Sequence, residues 1–149
     1  MTGTVLLTLG RLPKGLDVAR SFAQAGWRVL VADPMKRHLL GASKSVAASF
    51  CVTAPTVSGQ AYLQDLSSII AREEVDLVVP ISEEILHVSA LHDKTRAKIF
   101  AMPQETLLRV HDKAEFAYLS ASLDLTAPAT ALSQDKEAAQ ALAASQDFI

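Results

Sequence analysis

Three stretches of this sequence hold residue types that could do chemistry: Gly10-Arg11-Leu12-Pro13-Lys14-Gly15, Asp33 to Lys36, and Ser82-Glu83-Glu84. The first places two cations, Arg11 and Lys14, between two glycines in front of a helical pattern. A helix N-terminus flanked by positive charge is a seat for an anion, because its first N–H groups lack partners. A purely structural turn fits the same residues equally well. Two more specific readings fail. A P-loop needs Lys and then Ser or Thr after its second glycine, whereas Gly15 is followed by Leu16 and Asp17. A dinucleotide fingerprint needs three closely spaced glycines so that backbone can approach a pyrophosphate, and this loop has Gly10 and Gly15 alone.

Asp33 closes an apolar run, where nucleotide-binding folds place an acid for a ribose hydroxyl. Without the glycine fingerprint, a solvated acid before Pro34 is the simpler reading. Glu83 and Glu84 follow another apolar run, and acids in a helix's first turn are favoured for stability alone. They also stand where a ligand in the crevice of an α/β sheet would meet carboxylates, Glu83 being the preferred contact. The histidines, His38, His87, His92 and His111, lack metal-ligand spacing; His87 and His92 are five apart rather than four. No metal site is expected. No nucleophile elbow or triad pattern occurs. Cys51, the single cysteine, sits in the apolar run Ala48 to Val52 and reads as a small buried hydrophobe.

These residues need elements to hold them. Val5 to Leu9 is a short, continuously apolar run, as suits a strand covered on both faces. Val18, Ala19, Phe22 and Ala23 recur at helical spacing until Gly26 stops the helix. Val29 to Ala32 is a second strand, so the first thirty-odd positions form a βαβ unit, whose crossover should be right-handed. Phe50 to Val52 reads as a third strand. Ser58 can cap a helix with a buried stripe of Tyr62, Leu66, Ile69 and Ile70. Leu77 to Pro80 is a fourth strand, Ser82 caps the next helix with Glu83 and Glu84 in its first turn, and Ile99 to Ala101 is a fifth strand. Alternating elements predict an α/β fold: a Rossmann-like, doubly wound parallel sheet.

The rhythm changes near Pro103, which divides the chain into a Rossmann-like domain over 1–103 and a short helical segment over 104–149. Glu105 to Val110 is a brief helix, Asp112 caps a second carrying Phe116, Leu119 and Leu123, and an alanine-rich third runs from Asp135 to Ser145. Between them Thr126 to Thr130 must be extended around Pro128. Asp147-Phe148-Ile149 reads as the opening of a further strand, and hence as a truncation, although a closing edge strand is also compatible.

Composition narrows the class. With 149 residues, 50% hydrophobic and 20% charged, the chain can bury an ordinary core. A net charge of −2 offers no clustered basic face for nucleic acid or an anionic membrane surface. One cysteine excludes an internal disulfide, and no apolar run spans a bilayer, so the cytoplasm is the expected compartment. A homodimer is compatible with this composition but not fixed by it.

Several segments together resemble the front end of ATP-grasp enzymes, the superfamily that includes biotin carboxylase and the carbamoyl phosphate synthase large subunit. They are Val5 to Gly15, Gly26 to Asp33, Ala61-Tyr62-Leu63, Asp76 to Glu84, and Leu107 to Phe116 followed by Ala127-Pro128-Ala129-Thr130. The resemblance implies a pre-ATP-grasp domain, with the ATP-grasp domain proper beginning near Asp112-Lys113. It implies that Lys113 reaches the nucleotide and that Glu83 helps hold the acceptor. Glu83, together with Glu84 and the anion seat at Gly10, Arg11, Lys14 and Gly15, is expected to contact a small carboxylate or amine substrate. ATP and Mg2+ would serve the full-length protein without being tightly held here. A second lysine, the Glu and Asn magnesium ligands and the adenine pocket are expected beyond Ile149, in the rest of the ATP-grasp domain. The implied activity is a carboxylate–amine ligase working through an acyl phosphate, with this stretch inactive alone. A nicotinamide-dependent oxidoreductase domain is the main alternative, disfavoured by the missing third glycine. A non-catalytic regulatory module on the same fold is the other, since fold does not fix function.

Overall fold

The computed structural model describes residues 3–127, 130, 133 and 136–145. Its main feature is a five-stranded, all-parallel sheet with the spatial order β3-β2-β1-β4-β5. The strands are β1 (Thr4–Thr8), β2 (Arg28–Asp33), β3 (Ala48–Cys51), β4 (Leu77–Val79) and β5 (Lys98–Ile99). The chain fills one side of β1 with β2 and β3, then returns to its other side for β4 and β5. Both faces are covered, which is why the central strands are apolar throughout rather than alternating. Val5, Leu7, Val29 and Val31 pack under α1 (Pro13–Gln24), while Leu6, Leu30, Ala32 and Val78 pack under α2 (Gly59–Arg72). The Rossmann-like doubly wound sheet is therefore observed.

Local chemistry explains the helices. Pro13 starts α1, where its missing N–H costs nothing. Gly26, at φ 82°, ends it: Trp27 N donates to Phe22 O and Gly26 N to Ala23 O, both at 3.0 Å, closing the last carbonyls. Ser58 Oγ caps α2 by accepting from Ala61 N at 3.2 Å. Tyr62, Leu66, Ile69 and Ile70 form the buried stripe of α2, each at most 5% exposed. Such burial contributes about 2 kcal/mol per large side chain.

Three expectations are corrected. Ser82 caps nothing with its side chain; α3 is a single turn, Ile85–Val88, that starts at Glu84 without a side-chain cap. Cys51 is exposed, because β3 is an edge strand whose alternate residues face outward; its thiol donates to Pro34 O at 3.4 Å. The fifth strand is shorter and earlier than Ile99 to Ala101. Its register is set by Leu77 and Val78, opposite Lys98 and Ile99, which leaves the Phe100 ring 70% exposed.

The chain divides into two compact units, Met1–Leu107 and Leu108–Ile149. α4 (Gln104–His111) carries the chain from one to the other. The second unit holds α5 (Lys113–Ser122) and α6 (Lys136–Ser145). Asp112 Oδ1 caps α5, accepting from Ala114 N and Glu115 N at 2.9 Å. Asp124 ends it at φ 54°, with Leu125 N donating to Ser120 O at 3.0 Å. Pro128, Ala129, Asp135 and the expected strand opening at Asp147-Phe148-Ile149 lie outside the described residues.

Candidate active site

In an open parallel sheet the ligand crevice lies beyond the carboxyl ends of the strands, where strand order reverses. Here that point is between β1 and β4. Thr8 ends β1 facing α2, fully buried. Opposite it the chain leaves β4 through Pro80, Ile81 and Ser82, and the side chain of Glu84 folds back under this turn. Glu84 Oε1 accepts from Thr8 Oγ1 at 2.7 Å, from Ile81 N at 2.7 Å and from Ser82 N at 3.1 Å. Glu84 Oε2 is buried without a hydrogen-bond partner. A buried carboxylate oxygen left unpaired is costly.

Tyr62 closes the α2 side of this cluster at 2% exposure. Burial pushes its phenol well above the ordinary value, the Glu84 and Asp33 carboxylates add to the rise, and the Thr8 hydroxyl acts the other way. The neutral phenol therefore persists beside Glu84 at any physiological pH. The His87 ring stands edge-on to Tyr62, with centroids 6.2 Å apart.

The loop after β1 is shaped by protein neighbours. Leu9 takes a left-handed conformation at φ 64°, an uncommon state for a bulky residue that turns the chain off the sheet. A Cβ on Gly10 would overlap His38 Nδ1 and stand 2.9 Å from Val31 Cγ2. His38 is itself fixed, Nδ1 accepting from Gly41 N at 3.1 Å and Nε2 lying 2.8 Å from Ser49 Oγ. Gly15 sits inside α1, where a Cβ would meet Leu40 Cδ1 at 3.4 Å and Ile81 Cγ2 at 3.5 Å. Packing thus requires a glycine at position 10, whereas a Cβ at Gly15 would make only ordinary van der Waals contact. Arg11 Nε approaches Asp33 Oδ2 at 3.3 Å, and Met35 N donates to Asp33 Oδ1 at 2.7 Å. Lys14 is exposed in the first turn of α1, which carries no side-chain cap and no acid.

The structure thus brings the end of β1 and the turn after β4 together. Of the two adjacent acids, Glu84 is buried against Thr8 and the turn after β4, and Glu83 is exposed. Lys113 is the first residue of α5, exposed, in the second unit. Sequence reasoning missed Thr8 and Tyr62 as members of the site. Each carried a faint signal, a lone hydroxyl near the end of an apolar strand and a phenol inside a helical core stripe. Among the described residues no helix is long and apolar enough to cross a membrane.

No family model matches the sequence, and no curated protein matches it. Solved structures do match in fold. An L-amino acid ligase from Bacillus licheniformis superimposes with a TM-score of 0.71 at 12% identity, over 85% of this chain and 32% of that one. The biotin carboxylase domain of a single-chain bacterial carboxylase gives 0.68 at 15% identity, over 96% and 34%. The N5-carboxyaminoimidazole ribonucleotide synthetase of Thermotoga maritima gives 0.64 at 17%, over 95% and 36%. The chain spans about a third of the length of these proteins. The resemblance to ATP-grasp enzymes, biotin carboxylase among them, therefore holds at the level of fold.

Proposed function

We propose that this chain is the front part of an ATP-dependent carboxylate–amine ligase, and that the crevice between β1 and β4 holds its acceptor substrate. One observation carries this reading: Glu84 lies buried at the strand-order reversal of an ATP-grasp-like fold, with Oε2 unpaired. An acceptor amine supplies a donor to it. Thr8 and the Ile81 and Ser82 N–H groups hold the carboxylate in place, so its orientation precedes binding. Tyr62, kept neutral, excludes water from the α2 side. Arg11 and Lys14, with the uncapped start of α1, suit an anionic part of the same substrate. Glu83 stands at the rim.

ATP supplies the phosphoryl group that converts a carboxylate into an acyl phosphate, which the amine then attacks with loss of phosphate. Lys113, exposed and in no ion pair among the described residues, suits contact with nucleotide phosphates. Magnesium ligation belongs, on this reading, to the rest of the ligase. On this reading the chain is inactive without that remainder.

The nicotinamide alternative meets a specific obstacle. Asp33, which would take a ribose hydroxyl, is fully buried, with Oδ1 and Oδ2 engaged by Met35 N and Arg11. The deciding experiment is phosphate release from Mg-ATP by the full-length protein against panels of amines and amino acids. Acceptor-dependent release supports the ligase. No release with any acceptor, together with a thermal shift by NADH, would favour the oxidoreductase.

A further inference from the structure

At the opposite end of the sheet, where the strands begin, the first unit contains a cavity of about 860 Å³ that takes no part in the crevice. Small-molecule sites occupy roughly 300–1,000 Å³. Its lining is charged in both senses. Glu74 and Asp76 lie on the segment entering β4, and Lys94 and Arg96 on the segment entering β5. β4 and β5 are adjacent and parallel, so the two acids and the two bases stand at neighbouring strand entries. Ile70 and Val75, each 5% exposed, add apolar surface.

Among the lining side chains the charges balance, three of each sign. Arg28 and Glu73 line the cavity too, but they satisfy each other at 2.8 Å, and Arg72 binds Glu73 as well at 3.1 Å. Asp76 Oδ2 accepts from Thr4 N at 2.8 Å, which leaves Lys94 and Arg96, the Glu74 carboxylate and the second oxygen of Asp76. Among the described residues no ion pair joins Glu74 or Asp76 to Lys94 or Arg96. A simple anion would meet as much repulsion as attraction here, and so would a simple cation. A molecule carrying both charges meets only attraction when correctly oriented.

The geometry points to a binding site for a small zwitterion of the α-amino-acid class. Its carboxylate faces Lys94 and Arg96, its ammonium faces Glu74 and Asp76, and its apolar side chain lies against Ile70 and Val75. The site is separate from the proposed acceptor crevice. Because its charged groups are exposed, solvent screens them, and affinity is modest, with Kd on the order of 1 mM.

Calorimetric titration of the complete chain with leucine, N-acetylleucine and leucinamide tests this. Leucine binds saturably, and each single-charge analogue binds about tenfold more weakly or worse. Lys94→Gln/Arg96→Gln and, separately, Glu74→Gln each weaken leucine by about tenfold with unchanged circular dichroism, while Glu84→Gln leaves it intact. If the double variant fails to fold, Glu74→Gln decides, since its side chain takes part in no ion pair. The proposal is overturned by no saturation, by equal affinity for all three compounds, or by undiminished binding in Glu74→Gln. Loss of binding in Glu84→Gln alone would assign the leucine to the crevice and equally overturn it.

Discussion

Replacing Thr8 with Val removes one hydroxyl and leaves the shape of the side chain almost unchanged, so it isolates the bond that ties β1 to the turn after β4. Thr8 Oγ1 donates to Glu84 Oε1 at 2.7 Å in a fully buried setting. Hydrogen bonds to charged groups contribute about 1.5–3 kcal/mol. Oε1 keeps the Ile81 and Ser82 N–H groups, which limits the loss, but Oε2 has no partner to compensate. The expected cost is therefore about 2 kcal/mol. For a chain of this size that corresponds to a melting temperature lower by about 4–8 °C. Urea unfolding followed by fluorescence of the single tryptophan, Trp27, reports on the first unit directly. The midpoint should fall at constant m value. A double-mutant cycle with Glu84→Gln should give a coupling of about 1 kcal/mol. An unchanged or higher midpoint for Thr8→Val, or zero coupling, would refute the reasoning that this bond organises the site.

Other expectations follow from the same geometry. Gly10→Ala should cost about 1–3 kcal/mol, since the new methyl overlaps His38, and His38→Ala in the same chain should recover part of it; equal denaturation midpoints for Gly10→Ala and the parent would contradict this. The Tyr62 phenol is raised above 10.0 in the fold, so its neutral form favours folding fully below that pH, and this contribution is lost as pH rises through the alkaline range. Tyr62→Phe should flatten the alkaline fall in stability, measured by urea midpoints at successive pH values; an equal slope would assign the fall to another group. Lys113→Ala, at an exposed position, should alter stability by less than about 0.5 kcal/mol. In the full-length protein it should raise the KM for ATP, and unchanged ATP kinetics would remove Lys113 from the nucleotide site.

Local physics made much of this fold readable. A helix stop needs only Gly26, a cap needs only Ser58 or Asp112, and the stripe from Tyr62 to Ile70 is a matter of spacing. Reading failed where a residue's environment comes from distant chain. Cys51 looks buried until β3 is known to be an edge strand. The expected cap at Ser82 ordered the two glutamates along a helix that does not begin there. The actual turn sends Glu84 inward to a hydroxyl 76 residues earlier in the chain, a pairing no local pattern announces. The same holds for Gly10 and Gly15. Their spacing invited a ligand, yet His38 from the connection after β2 explains why Gly10 tolerates no side chain, and Gly15 stands in ordinary contact with Leu40.

The acceptor-site assignment is tested most directly by steady-state kinetics of Glu84→Gln in the full-length protein. Glutamine keeps the oxygen that the turn needs but replaces the unpaired oxygen with a donor, which opposes an incoming amine. Losing a charge-assisted bond of about 1.5–3 kcal/mol should raise the KM for the acceptor about ten- to a hundredfold while the KM for ATP stays constant. Acceptor kinetics equal to the parent's, in a variant that folds and still turns over, would contradict the account.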